Sequence, residues 1–326
     1  MTEITVELFT PECFQAICDI HNQSYKYWIE NLGDTYGYHS VTADDVQSWV
    51  TTSSNFIAIA FIEKSPVGYT HYSIEELSGD NSIKNLVFVE TKESLGQSKL
   101  AVLPTFRRLG VAQALIEFTC NHAVELGAET AMIFTYNTNK PLKGLLSKLG
   151  FNHFKFQYYE RYSNDNPICM DSVLAELDLT STLPNVPQNE QVLIRNIDEK
   201  DLEGMRTVFG ECRPDVFGPA PTLEQILGWF HAKWAVETLV AEMDGKIIGC
   251  MEYTSAGIVG IPGVLNEYRG SGIGSTLFFQ LLRSMQKRGM ATVIADTGFI
   301  MEEAIRMYKR FGFSLNRELW SWLKIL

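Results

Sequence analysis

The chain repeats itself. Phe106-Arg107-Arg108-Leu109-Gly110-Val111-Ala112 and Tyr268-Arg269-Gly270-Ser271-Gly272-Ile273-Gly274 lie 162 residues apart. Gly127 and Gly289 share that offset, as do Gly150-Phe151 and Gly312-Phe313. Three landmarks in one ungapped frame mark two copies of a single unit, so the chain folds as two related domains. Upstream, Val67–Ser73 matches Ile248–Thr254 at an offset of 181, and Val6–Phe14 matches Ile194–Leu202 at 188. The first copy therefore carries 19 extra residues around Glu75–Gln97. We expect a first domain over 1–165, a connecting segment over 166–190 and a second domain over 191–326. Within the connection, Val173–Leu179 is apolar enough to pack as a strand.

Each of the two copies is long enough to bury its own core. Hydrophobic residues make up 45% of the chain and charged residues 20%, which excludes disorder as its main state. A formal charge of −12 argues against general binding to nucleic acid or anionic membrane, but leaves room for a local anion seat. The six cysteines form no CxxC pair and no zinc-type spacing, so we expect reduced thiols and no metal site. The start lacks a basic, then apolar, leader, and no run of 18 apolar residues occurs. A cytoplasmic protein without a membrane span is expected.

Strand and helix patterns alternate within each copy. In the second, Val192–Ile197 reads as a strand and Asp198 as a helix cap; in the first, Thr10-Pro11 takes the capping place. Helical stretches follow at Ala43–Val50 and Thr222–Lys233. Glu237–Glu242 and Lys246–Tyr253 form a hairpin turning at Asp244-Gly245. Ile273, Leu277, Leu281 and Met285 recur every four residues, the stripe of an amphipathic helix after the glycine loop. A strand (Thr292–Ala295), a helix (Glu302–Arg310) and a last strand (Glu318–Leu326) close the copy. The fold class is α/β or α+β.

Arg269-Gly-Ser-Gly-Ile-Gly274 lies between a strand and a helix. Its glycines free the backbone to aim successive N–H groups at one point, and the helix start adds its unpaired donors. A pyrophosphate fits such a seat. A Walker loop requires a Gly-Lys-Ser/Thr ending that is absent here. A Rossmann loop requires GxGxxG after the first strand of its unit, whereas GxGxG occurs here, late in the copy. A plain glycine-rich helix cap explains one loop but not two with the same downstream context.

Arg269-x-x-Gly272-x-Gly274 and Arg107-x-x-Gly110-x-Ala112 resemble the acetyl-CoA loop of the GNAT N-acetyltransferase superfamily. That family follows its loop with Asn-x-x-Ala-x-x-x-Tyr and Gly-Phe. The second copy has Ala304, Tyr308 and Gly312-Phe313, with Met301 in the Asn place. The first keeps Asn139 and Gly150-Phe151, with Leu146 in the Tyr place. The resemblance covers nearly the whole chain outside the connection, in a tandem layout. It implies that each domain is a mixed, mostly antiparallel sheet flanked by helices and splayed between its fourth and fifth strands. It also implies acetyl-CoA as acyl donor. The cofactor contacts would be Gly263, Val264, Arg269, Gly270, Ser271, Gly272, Ile273 and Gly274 in the second copy. In the first they would be Ala101, Val102, Arg107, Arg108, Leu109, Gly110, Val111, Ala112 and Asn139.

Acyl transfer to an amine needs a base for the amine proton, a donor for the thioester oxygen and a proton for the departing thiolate. By family position Tyr308 is the expected proton donor; by pattern alone it is equally a core aromatic. Leu146 has no proton to give, so the resemblance makes the first domain the degenerate copy and the second the catalytic one. Glu252 is a candidate base, with a polar strand-edge role as the alternative. Among the histidines, His71 lies on the matching strand of the first copy. Specificity is expected from His21–Trp28 and Tyr36–His39, and from Arg213–Pro219; helix–sheet packing accounts for the same aromatics. The expected activity is acetyl transfer to a primary amine of a small molecule, in a monomer or homodimer. An acyl-CoA-binding sensor and an active first domain remain the alternatives.

Overall fold

A computed structural model describes residues 3–32, 40–51, 53–77, 83–89, 99–153, 171–212, 220–233, 235–255, 257–260, 263–299 and 301–326. Tyr36–His39, Cys169 and Arg213–Pro219 lie outside the described residues. The elements run β1 (Ile4–Leu8), α1 (Phe14–Leu32), α2 (Ala43–Trp49), β2 (Asn55–Ile62), β3 (Ser65–Leu77), β4 (Ile83–Phe88), β5 (Leu100–Val102), α3 (Val111–Glu125), β6 (Ala128–Tyr136), α4 (Lys140–Lys148) and β7 (Asn152–His153). They continue with β8 (Ser172–Asp178), β9 (Leu193–Asn196), α5 (Leu202–Cys212), α6 (Leu223–His231), β10 (Glu237–Met243), β11 (Lys246–Tyr253), β12 (Ile258–Val259), β13 (Gly263–Val264), α7 (Ile273–Lys287), β14 (Thr292–Gly298), α8 (Glu302–Arg310) and β15 (Ser314–Ile325).

Two compact units divide the chain: 1–157 with 319–326, and 158–318. In unit 1 the strands lie in the order β1-β2-β3-β4-β6, followed by the Leu319–Ile325 part of β15. In unit 2 the order is β9-β10-β11-β12-β14-β8. Among the described residues, these pairings are antiparallel except β4 with β6 and β12 with β14. Each unit is thus a mixed, mostly antiparallel sheet flanked by helices. The boundaries depart from the repeat in one respect. The strand that ends the second copy in sequence pairs with β6 of unit 1, and the strand inside the expected connection, β8, pairs with β14 of unit 2. A repeat reports ancestry, whereas pairing answers to the unpaired backbone edge that each central strand presents.

The local chemistry is the same in both copies. Asp244 (φ 50°) and Gly245 (φ 78°) turn β10 into β11, and Glu63 (φ 49°) and Lys64 (φ 67°) do so for β2 and β3. The register shifts beside each turn at corresponding places, Ala60/Phe61 and Ala241/Glu242. Thr42 and Thr222 cap α2 and α6 through capping boxes. Thr10 makes no side-chain cap; Pro11–Cys13 instead form a short 3-10 turn before α1.

The repeated Gly-Phe pair is a helix stop. Gly150 (φ 81°) and Gly312 (φ 85°) are left-handed, and Phe151 N and Phe313 N donate to Leu146 O and Tyr308 O, both at 3.0 Å. Each Phe is buried, so the stop also anchors the core. On α7 the predicted stripe Ile273, Leu277, Leu281 and Met285 is at most 1% exposed. At roughly 1.5–3 kcal/mol per buried large apolar side chain, this face holds the helix to the unit 2 sheet.

Candidate active site

A short 3-10 turn carries each of β5 and β13 into its glycine loop (Pro104–Phe106 and Asn266–Tyr268). Gly110 (φ 94°) and Gly272 (φ 85°) take the helix N-cap position without a side-chain cap. A left-handed φ at this place is what selects glycine. The first intrahelical bonds are Ala114 N to Gly110 O, 2.9 Å, and Thr276 N to Gly272 O, 3.0 Å. The N–H groups of residues 111–113 and 273–275 therefore point out of their helices. A Cβ placed on Gly270 or Gly272 would meet nothing within 4 Å. Open space rimmed by backbone donors at a positive helix end suits a pyrophosphate, and on this observation the residues fit the acyl-CoA that the motif implies.

Both loops open on cavities. Unit 2 holds one of about 1100 Å³, lined by Gly263, Val264, Arg269, Gly270, Gly272, Ile273 and Gly274. Unit 1 holds one of about 740 Å³, lined by Ala101, Val102, Arg107, Arg108, Gly110, Val111, Ala112 and Asn139. Two expected contacts fall outside these walls. Leu109 is 48% exposed, and Ser271 turns its hydroxyl back to Tyr268 O, 2.5 Å. The motif arginines have a further task. Arg107 Nε donates to Val102 O at 3.2 Å and Arg269 Nε to Val264 O at 3.1 Å, clasping the loop to its strand in both copies. Asn139 is buried and caps α4 by accepting from Leu142 N, 3.2 Å. Met301 starts α8 with no side-chain cap and lines the unit 2 cavity.

Among the described residues of unit 2, β12 and β14 pair only at Ile258↔Ile294 and Val259↔Ala295, and the ladder ends at that row. In unit 1, β4 and β6 part after Val87↔Met132. Asp296 is the first residue of β14 past the last row. Its side chain is solvent-accessible, yet the protein mass around it strips enough water to push the carboxyl up to about 6. The nearby Ser172 side chain and the Thr297 backbone N–H act in the opposite, smaller sense. Sequence reasoning passed over Asp296. The available signal was the repeat offset, which pairs it with Phe134.

Tyr308 is 1% exposed, and its ring packs at 5.7 Å from Phe278 and 5.3 Å from Phe313. It does not line the cavity, whereas its neighbour Met307 does. Burial and the charge of Asp296 hold its hydroxyl well above the usual tyrosine range. Leu146, its counterpart in unit 1, is fully buried. Glu252 lies on β11 with Oε2 accepting from Thr238 Oγ1, 3.3 Å, and burial raises its carboxyl. His71, its counterpart in unit 1, is buried and drawn down to about 3, chiefly by desolvation and then by Lys99. Its Nε2 faces Asn55 Oδ1 at 3.1 Å and its Nδ1 faces Lys99 Nζ at 3.4 Å. Lys99 in turn lies 4.0 Å over the Trp49 ring. Among the described residues, no group of three or more His, Cys, Asp or Glu side chains is placed to hold a metal ion. No described helix is long and apolar enough to cross a membrane.

The acetyltransferase (GNAT) family model matches residues 14–151 and again 202–313. The chain belongs to the GNAT acetyltransferase family. A mycothiol acetyltransferase from Arthrobacter sp. (strain FB24) is 21% identical over 243 residues, 70% of each protein. A tandem GNAT protein from the clavulanic acid biosynthesis pathway superposes with a TM-score of 0.67 at 13% identity, covering 99% of this chain and 98% of that one. A GCN5-related N-acetyltransferase from Sphaerobacter thermophilus gives 0.65 at 16% identity, covering 99% and 95%. These likenesses extend the tandem GNAT fold over the whole chain, and the family makes it an N-acetyltransferase.

Proposed function

We propose that the chain transfers acetyl from acetyl-CoA to a primary amine of a small molecule, with the chemistry in unit 2. One contrast carries this reading. Past the last β12–β14 row unit 2 carries Asp296, whose charge reaches the buried Tyr308 hydroxyl, where unit 1 has Phe134 and Leu146. The amine nitrogen attacks the acetyl carbonyl, the C–N bond forms, the C–S bond breaks with its electron pair on sulfur, and the surplus proton on nitrogen leaves to solvent, from which the tyrosine donor is reprotonated. Tyr308 supplies a proton to that sulfur. Its buried ring holds the hydroxyl end in position, and its raised pKa keeps it protonated at neutral pH. The glycine loop seats the pyrophosphate. Unit 1 holds a second acetyl-CoA on its own loop without turning it over.

Calorimetric titration with acetyl-CoA tests the assignment. Two sites falling to one in Gly272→Glu, with transfer lost, are expected. A single site untouched by that substitution moves binding to Gly110 and overturns the reading. Tyr308→Phe is expected to depress turnover strongly, and an unchanged rate refutes the donor role. A specific observation keeps the active-first-domain alternative in view: Lys99, which faces His71, immediately precedes β5, whose residues line the unit 1 cavity.

A further inference from the structure

The two cavities differ at matched places in their walls. Cys212, Met251, Met301 and Met307 line the cavity of unit 2. Carried back by the repeat offsets of 188, 181 and 162, these positions are Ser24, Thr70, Asn139 and Leu145 in unit 1. Burial supports the first match, since Ile17, Ile20 and Ser24 on α1 and Met205, Val208 and Cys212 on α5 are all buried. Unit 1 thus sets three polar side chains and a branched apolar one where unit 2 sets four that carry sulfur. The chain holds 10 methionines and 6 cysteines in 326 residues, so four in one wall are not an even scatter.

The polar groups of unit 1 make definite hydrogen-bond demands. Thr70 Oγ1 donates to Lys99 O at 2.9 Å, and Asn139 caps α4. The buried Ser24 hydroxyl borders the cavity with no hydrogen-bond partner among the described residues, and so calls for a polar group of a ligand. In unit 2 the Cys212 thiol donates to Val264 O at 3.2 Å, and the three thioethers make no such demand. Exposure grades the unit 2 cavity along its length. Glu302, Arg306 and Arg310 of α8 are exposed and stand at its mouth. Met251, Leu277 and Met307 are 1%, 0% and 9% exposed and close its inner end. Met251 lies on β11 between the pairing to β13 (Cys250↔Gly263) and the pairing to β12 (Tyr253↔Val259), beside the row where the β12–β14 ladder ends.

Methionine is unbranched, turns about three bonds and ends in a soft thioether, so a methionine wall reshapes around an apolar guest. A branched or hydrogen-bonded wall does not. The unit 2 cavity is also the larger, about 1100 Å³ against about 740 Å³. The glycine loop forms one end of it, so the arm of an acyl-CoA held there leads toward the methionines. We propose that unit 2 takes acyl-CoA donors with straight acyl chains of four to six carbons and holds them more tightly than acetyl-CoA, with Met251, Met301 and Met307 packed against the chain. The inference rests on the reading that the unit 2 loop seats acyl-CoA. The bonds that form and break are those of acetyl transfer, since these donors differ only beyond the carbonyl carbon. Each methylene withdrawn from water is worth about a fourfold gain in affinity. Unit 1, with its smaller and more polar cavity, is expected to lose affinity as the chain lengthens.

Calorimetric titration with CoA, acetyl-CoA, butanoyl-CoA and hexanoyl-CoA tests the proposal without an acceptor amine. Gly110→Glu leaves unit 2 to be read alone, and Gly272→Glu leaves unit 1. In Gly110→Glu, butanoyl-CoA is expected to bind about tenfold more tightly than acetyl-CoA, and hexanoyl-CoA more tightly still. In Gly272→Glu the order is expected to reverse. Adding Met301→Asn and Met307→Leu to Gly110→Glu transplants two unit 1 wall residues. Asparagine offers α8 the cap that Asn139 gives α4, and leucine conserves the volume of methionine, so the fold is kept, as a thermal melt checks. The butanoyl-to-acetyl affinity ratio is then expected to fall to near one. In Gly110→Glu, affinity that stays level or falls from acetyl-CoA to hexanoyl-CoA overturns the longer donor and leaves the acetyltransferase reading intact. A preference that survives the added substitutions overturns the role given to the methionines. No binding of any acyl-CoA in Gly110→Glu overturns the seat beneath the proposal.

Discussion

Two glycines of the unit 2 loop, Gly272 and Gly274, are expected to respond oppositely to alanine. At Gly272 the backbone is left-handed (φ 85°), and a Cβ there meets no atom within 4 Å. The penalty is thus conformational rather than steric. Holding an L-residue left-handed costs about 1–2 kcal/mol, offset by about 0.4–1 kcal/mol of unfolded-chain entropy that alanine removes. The net is a loss of roughly 1 kcal/mol, or about 2–4 °C in melting temperature for a unit of this size. At Gly274 the φ is ordinary for a helix start, and the Cβ makes van der Waals contact with Val264 at 3.5 Å. Gly274→Ala should therefore gain about 0.5–1 kcal/mol, and the chain already carries alanine at the matching place in unit 1, Ala112. The Cβ of Gly272→Ala also projects into the open space before the helix, so its acetyl-CoA affinity should fall, whereas that of Gly274→Ala should persist. Thermal melts with and without acetyl-CoA read both effects. If Gly272→Ala melts and binds like wild type, left-handed strain is not what selects glycine in this loop.

Other expectations follow from burial and capping. Leu281→Ala removes a fully buried α7 side chain and should cost about 2–5 kcal/mol by urea denaturation; a loss under 1 kcal/mol would show that the cavity collapses. Thr222→Ala breaks the capping box of α6 and should cost about 1 kcal/mol, with Thr222→Ser restoring most of it. His71 is held neutral down to about pH 3, below its unfolded value near 6.5. The folded state therefore binds fewer protons than the unfolded one between these values. The stability His71 contributes is fully present above pH 6.5 and is lost as pH falls toward 3, by up to about 1.4 kcal/mol per pH unit. His71→Asn should flatten that limb; an unaltered acid profile would assign it to other groups.

Much of the fold was legible because its signals are local. Hairpin turns need left-handed residues, helix stops need a glycine before a buried apolar residue, and an amphipathic helix needs a stripe every four residues. These requirements placed Asp244-Gly245 and the α7 stripe, while Gly312-Phe313 was legible as a repeated pair whose helix-stop role the structure supplied. The loop glycines were legible for the same reason, since Gly110 and Gly272 each satisfy a backbone demand written within a few residues. Other motif residues proved to have local tasks that a pattern does not distinguish from ligand contacts. Asn139 caps a helix, and Arg107 and Arg269 clasp strand carbonyls.

The sequence by itself determined the duplication, the family and the two glycine loops, because an offset and a loop motif are properties of neighbours along the chain. Only the tertiary structure decided which strand completes which sheet, since Leu319–Ile325 and β8 choose partners by exposed backbone edges far away in sequence. Tertiary structure alone set Tyr308 into an aromatic core and brought Gly260 beside Glu252. Strand register depends on which backbone groups meet across the sheet, and Val259 meets Ala295, 36 positions away, only once that register is set.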